Sequence, residues 1–206
     1  MISLDQIPNN VVLLFSGGPA STLLYWLLKD RDLTLCSVDS YSRTYPDPLR
    51  IKTIVEGRGA PVRPLINYKV HGADRRLGVQ VPRDLLRARG EWEACVAGVT
   101  AQIPALDPAR RAREQGIVGE DFLYLTTSSS SLFRQGFNRP EGIGDLSQGC
   151  EGWVYQPLLN LTVKDVYQEY RALGLEDLWT ETHSCCQLTA CLKCYDCRAR
   201  QWAQTL

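Results

Sequence analysis

Residues 11–15, VVLLF, run straight into Ser16-Gly17-Gly18, and Pro19 then opens PASTLLYWLLKD, a stretch of helical spacing that ends before Arg31. A short apolar run rich in β-branched residues reads as a buried strand. Proline fits the first helical turn, where a missing N–H costs nothing. The chain therefore begins strand, glycine turn, helix. The alternation continues. LTLCSV (33–38) reads as a second buried strand ending at Asp39, PDPLRIKTIVEGRG as a short helix with a glycine stop, and VRPLI as a third strand. Residues 67–83 read as a loop, DLLRARGEWEACVAGVTAQI from residue 84 as a helix interrupted by Gly90 and Gly98, and 107–115 as another helix. FLYLTT (122–127) reads as a strand, and the polar, glycine-rich stretch after it is too long for a simple connector and reads as a functional loop. WVYQPL is the last strand candidate, and Thr162 caps a helix over VKDVYQEYRALG, with Asp165 three residues on as a shorter analogue of a capping-box partner and Gly174 as the stop. Strands alternating with helices, joined by right-handed crossovers, give an α/β domain with a parallel sheet and helices on both faces. We expect that domain over residues 1–180 and a small, cysteine-rich C-terminal segment over 181–206.

The turn after the first strand has a chemical consequence. Glycines let the backbone approach a phosphate closely, and the free N–H groups and dipole of the following helix face negative charge. Ser16, Gly17, Gly18, Ser21 and Thr22 are the candidate phosphate-binding residues. The spacing is neither that of a Walker A loop, which also needs a lysine, nor G-x-G-x-x-G. A tight turn with no ligand would use the same residues.

Five of the eight cysteines, Cys185, Cys186, Cys191, Cys194 and Cys197, crowd into 13 residues, whereas Cys36, Cys95 and Cys150 are scattered. Clustered cysteines in a reducing compartment bind metal more often than they form disulfides. Cys191, Cys194 and Cys197 supply three thiolates at two-residue gaps, and Cys185 or Cys186, with His183 a weaker candidate, supplies the fourth of a tetrahedral structural zinc site. Lys193, Arg198 and Arg200 flank it, either offsetting thiolate charge or forming a solvated face.

Lysine plus arginine and aspartate plus glutamate number 23 each, so the formal net charge is zero. That argues against a broad electrostatic nucleic-acid footprint. No apolar run reaches the roughly 20 residues of a membrane-spanning helix. The N-terminus, MISLDQIPNN, has neither the basic start nor the apolar segment of a signal peptide, so a cytoplasmic protein is expected. Tyr25, Trp26, Trp92 and Tyr124 read as core, Tyr167 and Tyr170 as packing partners on one helix face, and His71 as a polar-loop residue without an assigned role.

FSGGPAST resembles the SGGxDS pyrophosphate loop of the PP-loop ATPase superfamily (the adenine nucleotide alpha hydrolase-like fold), with Ala20 where the superfamily has aspartate. Together with the cysteine-rich end, the chain resembles the 7-cyano-7-deazaguanine synthase (QueC) family. VDSYSRTY, with Tyr41 and Arg43, is similar to an aromatic–polar–basic segment after the second strand. PLLNLTVKDVYQEYRALGL resembles P-L-x-x-L-T-K-x-E-I-V. THSCCQLTACLKCYDCRAR resembles T-W-S-C-Y…C-x-x-C-x-x-C-x-x-R, which assigns Cys185 as the first zinc ligand, with Arg198 a loose match, out of the quoted spacing, to the trailing arginine. The middle departs: P-x-R-N is reduced to Val81-Pro82-Arg83-Asp84, and G-x-N-x-x-D-x-S-G-Y has become TTSSSSLFRQGFNR.

The resemblance implies ATP-dependent conversion of 7-carboxy-7-deazaguanine and ammonia to the nitrile through an adenylated carboxylate. ATP and Mg2+ would sit at Ser16, Gly17, Gly18, Ser21, Thr22 and Asp39, and Zn2+ at Cys185, Cys191, Cys194 and Cys197. Asp39 is otherwise a solvated turn residue, and Arg134 and Arg139 read as solvated loop charges unless they grip a substrate carboxylate. A homodimer is compatible with the family, and neither a membrane nor a directly bound nucleic acid is expected. Two other functions remain open: the same chemistry on a different acceptor, and a non-catalytic, zinc-stabilised nucleotide-binding protein.

Overall fold

The computed structural model describes residues 2, 4–40, 48–70, 91–98, 100, 143–145, 153–158, 161–183, 192 and 195–205. Among them the strands are β1 (Asn10–Leu14), β2 (Asp32–Ser40), β3 (Leu65–Val70), β4 (Ala94–Ala97), β5 (Ile143–Asp145) and β6 (Trp153–Tyr155). The helices are α1 (Pro19–Leu27), α2 (Pro48–Gly57), α3 (Val163–Ala172), α4 (Glu176–Glu181) and α5 (Tyr195–Ala203).

The strands form one sheet in the order β3-β2-β1-β4-β6-β5. All neighbours are parallel except β5 and β6, which pair antiparallel. The chain builds outward from β1 through β2 to β3, then returns to place β4 on the other side of β1. That reversal is the topological switch point, where open α/β sheets bind ligands beyond the carboxyl ends of their strands.

Strand alternation decides which side chains meet the helices. Val11 and Leu13 of β1, Leu33 and Leu35 of β2, and Ala94 and Val96 of β4 share one core with residues of all five helices. Leu23 and Leu24 of α1 are fully buried in it, each contributing roughly 1.5–3 kcal/mol relative to exposure. Val12, Cys36, Cys95 and Ala97, which alternate with that set, are buried as well. Both faces of the central strands are therefore covered, as a parallel sheet requires.

Helix α3 starts as the sequence indicates. Thr162 Oγ1 accepts from the Asp165 N–H at 3.3 Å, and the Asp165 carboxylate accepts from the Thr162 N–H at 2.7 Å. Gly174 follows its C-terminus at φ +66°. Tyr167 and Tyr170 both pack on Trp179 of α4, at ring separations of 4.9 and 5.4 Å. Tyr25 is buried and Trp26 packs partly buried against the core, in keeping with their reading as core residues.

Three readings of the sequence are corrected. The segment read as a helix from residue 84 contains β4, whose residues ACVA are all buried beside β1. A short apolar run has no period of its own to separate strand from helix, and the central sheet position decides it. Residues 67–70, read as loop, continue β3, because β2 extends to Ser40 and offers partners through the Ser40–Val70 pair. Ile143–Asp145, inside the long polar stretch, adds an edge strand to β6. The helix expected at 107–115, the strand at 122–127, and Tyr41, Arg43, His71, Tyr124, Arg134 and Arg139 lie outside the described residues.

Candidate functional site

The turn between β1 and α1 lies at the carboxyl end of the sheet, beside the switch point. Gly17 has φ +73°, in the left-handed region that side-chain-bearing residues rarely adopt. A Cβ there would also meet Ile51 Cγ1 at 3.3 Å and Pro48 Cα at 3.5 Å, so α2 backs the turn from one side. Gly18 is the N-cap of α1, in extended conformation and without a side-chain capping bond. Pro19 follows at the first helical position. Helix geometry leaves the N–H groups of Ala20 and Ser21 without intrahelical acceptors. The first intrahelical bond runs from the Thr22 N–H to the Gly18 carbonyl at 3.0 Å.

The two serines lace the turn together. Ser21 Oγ donates to the Gly18 carbonyl at 3.1 Å and accepts from the Ser16 N–H at 3.3 Å. The Ser16 and Ser21 hydroxyls are 3.2 Å apart, and Ser16 Oγ accepts from the Gly18 N–H at 3.3 Å. Ser21 is buried and its proton is committed to the turn, whereas Ser16 is exposed and can turn its hydroxyl toward a ligand. Thr22 is fully buried on the core side of α1, away from solvent. Its hydroxyl makes no bond of good geometry, although it faces that of Tyr170, which donates instead to the Pro19 carbonyl at 2.8 Å. The first turn of α1 carries no acidic side chain, so nothing of the helix's own offsets its positive end. Asp39 lies near the carboxyl end of β2, in register with Lys69 of β3.

The chain's C-terminal part reaches the same place. A Cβ on Gly18 would meet the His183 carbonyl at 3.4 Å, so the segment leaving α4 passes directly over the glycine turn. Arg200 of α5 holds the end of α4. Its guanidinium donates to Thr182 Oγ1 at 3.0 Å and to the Trp179 carbonyl, and lies 4.7 Å from the Trp179 ring centroid. Burial pushes the Arg200 pKa below the usual arginine value, against the opposing pull of Tyr170 and Cys197. Arg200 is thus neither a solvated charge nor remote from the cysteine cluster.

Cys197 is buried on α5. Cys185, Cys191 and Cys194 lie outside the described residues. Cys197 fits the soft-donor chemistry of a zinc site in being a buried thiol with a guanidinium close by. Cys36 and Cys95 are different. Burial pushes Cys36 up to about 11 and Cys95 up as well, so both are neutral thiols packed in the sheet.

Sequence reasoning missed the His183 carbonyl, the Arg200–Trp179 stack and Gly98 at the end of β4. No pattern announces the first two, which are contacts across the chain. The third was legible as a glycine closing the short apolar run ACVA.

No family model matches the chain, and no curated protein matches it. Among solved structures, it is similar to NMN synthetase from Francisella tularensis, at 12% identity and a TM-score of 0.46, over 85% of this chain. The similarity spans 66% of that protein's length.

Proposed function

We propose that the chain binds ATP with its phosphates at Ser16–Ser21 and uses it to activate a carboxylate for attack by ammonia. The acceptor proposed is 7-carboxy-7-deazaguanine, the substrate of the family its sequence motifs resemble. The observation that carries the proposal is the uncapped N-terminus of α1 behind Gly17, at the sheet's switch point. Such a terminus offers N–H donors and a positive dipole end to a phosphate chain.

The chemistry asks mainly for positioning and charge neutralisation. A carboxylate oxygen attacks the α-phosphorus of ATP and pyrophosphate leaves. Ammonia then adds to the activated carbonyl carbon, and AMP departs with the former carboxylate oxygen to give the amide. A second round activates the amide oxygen, which leaves with AMP as the nitrogen loses its protons, and the nitrile results. In this scheme the Gly17–Gly18 backbone and the N–H groups of Ala20 and Ser21 hold the departing pyrophosphate, and the Ser16 hydroxyl supplies a further donor. Mg2+ supplied with ATP would neutralise phosphate charge. Asp39 stands at the edge where the nucleoside would lie. Zn2+, held by Cys185, Cys191, Cys194 and Cys197, would be structural and would brace α5 against α4. The domain division at residue 180 belongs to the same proposal, as does a cytoplasmic location.

The test is incubation of zinc-loaded protein with magnesium-ATP, 7-carboxy-7-deazaguanine and ammonium, following AMP, pyrophosphate and the base by mass spectrometry. Amide or nitrile product with AMP is the expected result. AMP formed only with another acceptor would replace the substrate and keep the adenylating chemistry. ATP binding without AMP would favour a nucleotide-binding protein, the alternative to which Ala20 and the acid-free first turn of α1 lend support.

A further inference from the structure

We propose that Gly98 is a positioning residue for the phosphate-holding turn, acting through the Ala20–Ser21 peptide. This rests on the nucleotide proposal above. The Leu14–Ala97 pair puts Gly98 level with Phe15, on the strand next to the one that feeds the turn. A Cβ at Gly98 would fall 3.0 Å from Ala20 C, 3.0 Å from Ser21 N and 3.1 Å from Ala20 Cβ. Two of those atoms are helix backbone, which cannot swing aside as the end of a long side chain does.

Among the described residues the glycines with positive φ are Gly17, Gly59 and Gly174, and Gly98 is not one of them. Its backbone therefore suits any residue, and the need for glycine comes from the contact alone. The first turn of α1 has little freedom to retreat. Tyr170 holds the Pro19 carbonyl from the core side at 2.8 Å, and Ser21 Oγ is bonded to the Gly18 carbonyl at 3.1 Å. A side chain at position 98 would displace the peptide whose N–H, that of Ser21, is one of the two donors without an intrahelical acceptor. A hydrogen bond weakens as its donor leaves the range of about 2.7–3.2 Å or loses alignment, so a displaced donor holds a phosphate less well. The same contact accounts for a small residue at position 20, since the Ala20 methyl itself closes on Gly98. Gly57 is the opposite case, where a Cβ would meet nothing within 4 Å.

The experiment is isothermal titration of the full chain with magnesium-ATP, with pyrophosphate and with adenosine. It compares wild type, Gly98→Ala and the control Gly57→Ala. The expected result is affinity for ATP and pyrophosphate about tenfold weaker in Gly98→Ala, the order set by weakening one hydrogen bond to a charged group, with adenosine affinity kept and Gly57→Ala equal to wild type. Equal affinities in Gly98→Ala and wild type would overturn the role of Gly98 and leave the nucleotide site standing. A uniform loss for all three ligands would also overturn it, because that is what general destabilisation produces. Wild type that binds neither ATP nor pyrophosphate would overturn the nucleotide proposal, and this one with it. If Gly98→Ala does not fold, Ala20→Val fills the same gap from the helix side and is judged by the same outcomes.

Discussion

The Tyr170 hydroxyl donates to the Pro19 carbonyl at 2.8 Å across the buried α3–α1 contact, so a core tyrosine fixes the first residue of the helix behind the glycine turn. Burial is the main cause that holds its phenol well above the usual tyrosine range, so it remains a neutral donor. Tyr170→Phe keeps the ring packing on Trp179 and removes this bond. Urea denaturation should show a loss of about 0.5–1.5 kcal/mol, and pyrophosphate titration a weaker site. Unchanged stability and affinity would mean that packing alone holds α1.

A carboxylate restored at position 20 tests the electrostatics of the turn. Ala20 is the second residue of α1, and the first turn carries no acid. Ala20→Asp gains about 0.3–1 kcal/mol from the helix dipole, set against the crowding that a larger side chain meets at Gly98, so the test is read from the magnesium dependence of binding and not from stability. The same charge competes with phosphate for the positive end. Pyrophosphate should therefore bind less tightly in magnesium-free buffer, and added magnesium should narrow the gap to wild type. Tighter magnesium-free binding in the variant would contradict a phosphate seat at the α1 N-terminus.

Glu56 sets an acid limit on stability. Burial raises its pKa, but bonds from Lys52, the Arg63 N–H and Tyr25 outweigh that, and its folded value lies below the reference 4.5. The Lys52–Glu56 pair spans 2.7 Å with both side chains largely buried. For a depressed carboxyl, the stabilisation is fully present above the unfolded value and is lost as pH falls through the folded one. Melting temperature should hold above pH ~5 and fall below pH ~4. Glu56→Gln should start less stable at pH 7 and show a shallower acid fall. Parallel curves for the two proteins would remove Glu56 from the acid response.

How far the sequence reveals this architecture depends on where each segment's structure is decided. β1, α1 and α3 are decided locally: the Val-Val-Leu-Leu run, Pro19 at the first helical position, and the Thr162–Asp165 box each carry their own signal. β4 is decided by its neighbours. Ala94–Ala97 is too short to show a period, and it becomes a strand because β1 and β6 flank it. The glycine turn was legible for the same local reason as β1. Its packing against Ile51, the His183 carbonyl and Gly98 was not, because residues 51, 98 and 183 meet it only through the fold. Of the hydroxyls expected to face a ligand, Ser21 and Thr22 lie on the buried side of α1, a distinction that needs the helix's rotation about its axis.

The cysteine cluster gives a prediction that joins the two ends of the chain. Purified protein should contain about one zinc per chain, by the four-thiolate stoichiometry of structural sites. Cys197→Ser should lose that metal, because a hydroxyl is a poor replacement for a thiolate on a soft ion. Chelation should lower the melting temperature, since binding energy at a structural site is folding energy. The loss should extend beyond α5. Arg200 bonds the Thr182 hydroxyl and stacks on Trp179, and the next residue, His183, lies over Gly18. Hydrogen exchange should therefore speed up in α4 and in the Ser16–Ser21 turn when zinc is removed, while α2's buried residues Ile51 and Val55 stay protected. Exchange confined to α5 would show that the cysteine segment and the glycine turn are neighbours without being coupled.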